Sequence, residues 1–275
     1  MGAAAQRAAA ARPVLMHHHG ADAGAALPAL VLALAAATYL SLVRRSRARN
    51  PARGWSPWRT ASFGAGLVLL AVAFLPPVAT WARADFRGHM VQHLIVGMYA
   101  PVALVLGAPA TLLLRALPVH QGRRLSALLH SRPLRALAHP LTALLLSTVS
   151  LVPLYFTPLF TVLTAHPAGH WLLHAHFLVA GTLFAHVIAG PDPHPGRPGT
   201  RTRLVYLGCA IAVHAVVSQL LYGGFWTRVD APADQVRGAA EVMYYGGDLA
   251  ELLLAVALLT TARTRARRSA AAASA

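Results

Sequence analysis

Apolar runs alternate along the chain with short polar stretches rich in arginine. Seven runs stand out, at about residues 25–43, 60–80, 88–106, 140–163, 170–189, 204–222 and 238–261. Each is about 20 residues long, enough for a helix to cross the roughly 30 Å hydrocarbon core of a bilayer. The pattern predicts an all-α, polytopic membrane helix bundle of about seven transmembrane helices. The third run stays apolar from Ala108 to Leu117, where Pro109 is expected to break or kink it. Residues 1–24 then form an amino-terminal tail, 25–262 the membrane domain, and 263–275 a carboxyl-terminal tail.

The arginines orient this bundle. The chain has no lysine, so its 24 basic residues are all arginine. Of these, 18 fall after the first, third, fifth and seventh runs, and six fall on the opposite side. Short loops with excess positive charge stay in the cytoplasm, which puts the amino terminus outside and the carboxyl terminus inside. The same distribution disposes of nucleic acid as a partner: the net charge of +16 sits in loops that set topology. Only 12% of residues are charged, about half the fraction of a soluble domain. The bilayer is therefore the solvent. The alanine- and arginine-rich, lysine-free composition fits a GC-rich bacterial genome and a multi-pass protein of the bacterial cytoplasmic membrane. Three histidines and Asp22 interrupt the first 24 residues, so they read as an outer tail rather than a signal peptide. The single cysteine, Cys209, rules out a disulfide within the chain and a cysteine-built metal cage.

Candidate chemistry comes from polar residues inside the apolar runs, where ionisable groups are costly and normally face the bundle interior. His89 and His93 open the third run, and His170 and His174 the fifth. A spacing of four puts each pair on one helix face, one turn apart. Both runs enter from outside, so the pairs share a depth, with His93 and His174 about 6 Å below the start of each run. His176 and His166 are nearby in sequence, and His17, His18 and His19 with Met16 lie in the tail. Neutral imidazoles bind copper, zinc, nickel and iron, and Met90 or Met98 offers a thioether suited to cuprous ion. Two readings stay open: a metal or haem site, or interfacial histidines bonded to headgroups, water and one another.

Deeper in the bundle, His214 lies near the centre of the sixth run, followed by Ser218 and Gln219. The seventh carries Glu241, Asp248 and Glu251. Glu241 falls in the first turn, where an acid suits the positive helix end. Asp248 lies about 15 Å into the run by helical rise, making His214 its natural partner, and Glu251 follows on a similar face. These groups form a structural pair, support the histidine site, or mark a proton path. Trp81, Trp171 and Trp226 stand at outer ends of runs, as an aromatic belt would place them.

The segment His89-Met90-Val91-Gln92-His93-Leu94, followed by Pro101 and by Leu106-Gly107-Ala108-Pro109, resembles the CtaG family of cytochrome c oxidase assembly factors, the seven-helix bacterial proteins associated with caa-type oxidase. Pro153-Leu154-Tyr155-Phe156-Thr157, then His170, His174 and Phe177, and Asp234-Gln235 extend the likeness over about residues 25–262. The resemblance implies a role in maturing a haem–copper oxidase by handling copper on the outer face, with cytochrome c oxidase subunits as partners and no catalytic activity.

Three functions compete at this point. The first is an assembly factor that binds or passes a copper ion, with His89, His93, His170 and His174 as ligands, Met90 and His176 as additional ligands, and His214, Asp248, Glu251 and Glu241 in supporting or structural places. The second is a haem-binding or electron-transfer membrane protein, because histidines on facing helices can supply axial ligands. The third is a metal-dependent intramembrane hydrolase that uses the histidines, Asp248 and Ser218 around a zinc-activated water.

Overall fold

The computed structural model describes residues 18–52, 54–193 and 196–274. Residues 1–17 of the expected tail, with Met16 and His17, lie outside the described residues, as does His194. Every regular element among the described residues is helical. The long ones are α1 (His18–Arg49), α2 (Pro57–Phe74), α3 (Phe86–Ala116), α4 (Pro140–Phe156), α5 (Pro167–Ala189), α6 (Thr200–Gly223) and α7 (Ala233–Ala273). Among the described residues, six of these are long and apolar enough to cross a membrane, and α4 is apolar but shorter.

The fourth run differs from its expected extent. It reads as 140–163 by hydropathy, but α4 ends at Phe156, and Leu159–Thr164 forms a separate short helix. Pro158 explains the break. A residue before proline is pushed out of the helical region, and Thr157 is extended at φ −125°, ψ 169°. Pro109 acts as the sequence predicts: the helix stops at Gly107, Ala108 takes a left-handed φ of 52°, and Pro109 begins a new helical segment.

α3 is the hub of the bundle and packs against α1, α2, α5 and α7. α6 pairs with α7, while α4 closes against α5 and α6. Pro101 explains the shape of α3. It has no N–H for the carbonyl of Gly97 four residues earlier, and the helix widens into a π turn over Ile95–Tyr99 just before it. Gly181 of α5 lies against that carbonyl: a Cβ there would collide with the Gly97 oxygen. Two glycines thus let α3 and α5 meet backbone to backbone, as small residues do in membrane bundles. The main core gathers where α3, α4, α5 and α7 meet, around Met90, Val96, Tyr155, Phe177 and Met243.

The outward faces confirm which solvent the fold expects. Leu27, Leu30, Val31 and Leu34 on α1 are all more than half exposed, as are Leu249, Leu252 and Val256 on α7. Apolar patches this continuous are rare on monomeric soluble proteins, and in lipid they are the normal exterior. The chain is a polytopic α-helical membrane bundle.

Candidate functional site

The histidines are presented by a carefully anchored helix start. Asp85 caps α3 by accepting from the Arg87 amide at 2.8 Å, and its carboxylate pairs with the Arg87 guanidinium at 2.6 Å. That hydrogen-bonded guanidinium holds the Asp85 carboxyl below the usual aspartate range. The Phe86 amide donates to Gln235 Oε1 at 3.1 Å, which ties this end of α3 to the first turn of α7.

From that start, His89 and His93 face the bundle interior, and both are buried. His89 stacks on Phe86 with an interplanar angle of 9° and meets the Phe160 ring at 4.8 Å between centroids. His93 abuts Phe177 at 4.2 Å. Neither His89 Nε2 nor His93 Nδ1 has a hydrogen-bond partner, although both atoms are buried. On α5, the His170 and His174 rings lie 4.6 Å apart.

Gln92 joins the two helices. Its Nε2 donates to the Ala73 carbonyl at 2.7 Å, so its oxygen faces His174 Nε2 at 2.9 Å. The amide orientation assigns the tautomer: His174 donates from Nε2 and keeps its lone pair on Nδ1. The spacing argument for histidine pairs passes over Gln92. The signal for it was present, because an amide three residues after His89 in an apolar run needs partners.

The sequence-predicted ligands separate into two compartments. An open cleft of about 840 Å³ at the histidine-rich end is lined by His89, His170, His174 and Gln92. His93 lies one turn further along α3 and lines a different space, a cavity of about 40 Å³ that it shares with Met98, His214 and Glu251. Among the described residues, no three His, Cys, Asp or Glu side chains gather in a group able to hold a metal ion.

The other predicted residues are placed as follows. Met90 is fully buried in the core. His176 reaches Ser150 Oγ of α4 at 3.1 Å. His214 is buried, with the Gly247 backbone pressed against its ring, where a Cβ could not fit. The sequence pairs His214 with Asp248, but the acid lining the His214 cavity is Glu251, and Asp248 is half-buried outside that lining. Gly247, Ala250, Glu251 and Leu254 form the inward face of α7, and position 248 is turned about 100° from 247. Glu241 is exposed. The Ser218 hydroxyl donates to the His214 carbonyl at 2.9 Å and lines neither compartment.

Residues 37–265 match the family described as cytochrome c oxidase caa3 assembly factor (Caa3_CtaG). The chain belongs to this family. The match includes both histidine pairs, Gln92, His214 and Glu251. Uncharacterized proteins of Mycobacterium bovis and Mycobacterium tuberculosis are each 33% identical over 259 residues, which cover 87% of this chain and 38% of theirs. A protein of Mycobacterium leprae, also uncharacterized, is 33% identical over 233 residues, or 78% of this chain and 35% of its own. The chain thus spans less than two fifths of the length of these relatives. No solved structure matches it.

Proposed function

We propose that this chain is a multi-pass protein of the bacterial cytoplasmic membrane that assists maturation of a haem–copper cytochrome c oxidase, with its histidine-rich end receiving copper destined for an oxidase subunit. The observation that carries the reading is the cleft itself: His89, His170 and His174 face one open space at the end of the bundle away from most arginines. Family membership supplies the assembly role, and the arginine distribution supports seven crossings with this end outside.

The donor set fits a copper cargo. Imidazole nitrogens with a thioether suit the soft cuprous ion. His89 and His93 each present a buried nitrogen without a partner, and Met98 lies in the compartment below. The imidazoles follow one another in depth rather than converging on one point. This arrangement suits an ion that exchanges between ligands, with His170, His174 and His89 at the cleft and His93 one turn below them. The histidine-rich end would be the face offered to the oxidase subunit.

The test is metal analysis of the purified full chain after copper loading. His89→Ala/His93→Ala and His170→Ala/His174→Ala should each retain severalfold less copper than wild type. Met90→Leu should retain the wild-type amount, because Met90 is sealed in the core. Equal copper in all of these proteins, or none in any, overturns the copper reading. A deletion strain whose oxidase is fully active with its normal copper content overturns the assembly role.

A further inference from the structure

The opposite end of the bundle carries a larger cleft that the assembly role leaves without a task. It has a volume of about 1310 Å³ and lies between α2, α3, α7 and the loop joining α5 to α6. Four half-buried arginines line it: Arg59, Arg115, Arg197 and Arg265. Backbone carbonyls fix three of them. Arg115 donates to Gly54 O at 2.8 Å, Arg265 to Gly190 O at 2.8 Å, and Arg197 to Gly190 O and Asp192 O at 2.7 and 2.6 Å. Arg59 and Arg115 also lie over the Trp55 ring, at 5.0 and 5.5 Å.

Among the described residues, the lining carries more positive than negative charge. Among the described residues, the carboxylate in the lining is Asp192, and the helix that starts at Pro109 takes it up. Its oxygens accept from Ala110 N at 3.0 Å, from Thr111 N at 2.7 Å and from Thr111 Oγ1. Among the described residues, no salt bridge joins Arg115, Arg197 or Arg265 to a carboxylate. Burial, with Arg265 and Arg203 close by, pushes the Arg197 guanidinium down to about 10, so it stays charged at neutral pH in a cation-crowded place.

The other wall of the cleft is apolar and open to the side. Leu253 and Val256 of α7 line it, and they are 47% and 58% exposed on the lipid-facing surface. Trp58, 73% exposed, stands at the rim, where indole rings favour the headgroup level. A ligand filling this space needs an anionic head with several acceptor oxygens and an apolar tail leaving toward the bilayer. Guanidinium groups bind phosphate oxygens through paired N–H donors, and basic pockets between membrane helices suit acidic lipid headgroups.

We propose that the arginine-lined cleft is a binding site for an anionic glycerophospholipid, whose phosphate engages Arg59, Arg115, Arg197 and Arg265 and whose acyl chain lies along Leu253 and Val256. The bound lipid joins α2, α3, the α5–α6 loop and α7 at one end of the bundle. Free phosphate meets only half of this chemistry, because it leaves the apolar wall uncovered.

The delipidated full chain is examined by native mass spectrometry with phosphatidylglycerol, phosphatidylcholine or inorganic phosphate added in turn. Wild type should retain phosphatidylglycerol at least about tenfold better than phosphatidylcholine. Arg197→Gln/Arg265→Gln should lose that preference. Arg123→Gln/Arg124→Gln, on the helix Val119–Leu129 outside the cleft, should keep it. If the first pair fails to fold, Arg59→Gln/Arg115→Gln is read by quenching of Trp55 and Trp58 fluorescence with brominated phosphatidylglycerol, which wild type shows and this variant loses. Equal retention of the two lipids, equal retention by cleft and control variants, or displacement of phosphatidylglycerol by inorganic phosphate overturns the proposal.

Discussion

The two ends of this bundle each hold a large cleft, and they solve the problem of polar groups in an apolar fold in opposite ways. At the histidine-rich end, the polar groups are imidazole rings. They are buried against Phe86, Phe160, Phe177 and one another, and a single amide, Gln92, holds two helices in register. At the arginine-rich end, the groups are permanent charges, half-buried and held by backbone carbonyls. An imidazole can give up its charge to enter a low-dielectric place, while a guanidinium cannot. The histidines therefore reach toward the centre of the bundle, and the arginines stop at its edge. The first end offers lone pairs and the second offers N–H donors, which is the chemistry behind the two proposals, a soft cation at one end and a phosphate at the other.

The largest expected effect removes the contact on which the histidine end is built. Gly181→Val places side-chain atoms on the Gly97 carbonyl where α3 and α5 touch. It should destabilise the bundle by about 3 kcal/mol or more, read as a fall in thermal unfolding temperature in detergent. A variant that melts with wild type would show that α3 and α5 do not meet there. At the other end, the same substitution at Gly122, where a Cβ meets only one carbonyl at 3.9 Å, should cost far less.

A smaller effect tests the amide that joins α3 and α5. Gln92→Leu leaves the His174 Nε2–H and the Ala73 carbonyl without their present partners. A buried group stranded in this way costs about 1–3 kcal/mol. The melting temperature should fall, and the His174 ring should lose its fixed tautomer, seen as a shift of its ring nitrogen resonances. Unchanged resonances would remove Gln92 from the description of the site.

The smallest effect concerns the cap at the entrance. The Asp85 carboxyl is held below the ordinary aspartate range, mainly by the hydrogen bond from the Arg87 side chain. A depressed value in the folded state means that the contribution is fully present above the ordinary aspartate pKa and is lost as pH falls through the lowered one. The Arg87 amide resonance should therefore move in the acid range, below the pH at which a free aspartate titrates, and Asp85→Asn should flatten that movement. A titration at the ordinary aspartate value would show the pair open in solution.

The helices themselves were legible in the sequence to a useful depth. Apolar runs of membrane length mark six of the long helices, and Pro109 announces the break at Ala108. The fourth run was overextended, because hydropathy registers apolar character and Pro158 acts through backbone sterics. The histidine pairs were legible because a spacing of four means one face on any helix. Which space each ring enters was not. His89 joins the cleft with His170 and His174, while His93, one turn away, belongs with His214 and Glu251.

Local chemistry written along the chain determined the membrane class, the alternation of arginine-rich and arginine-poor loops, and the two histidine turns. These depend on neighbours within a few residues and on the solvent the chain meets. Tertiary structure alone decided how the helices rotate and how deeply they mesh. It put Glu251 rather than Asp248 against the His214 cavity, gave Gln92 its two partners on different helices, and gathered arginines from four distant segments around one cleft. The physical reason is that rotation about a helix axis is set by which side chains interlock across helices. In this bundle it follows from two glycines at the α3–α5 contact, a π turn before Pro101, and the aromatic rings packed around them.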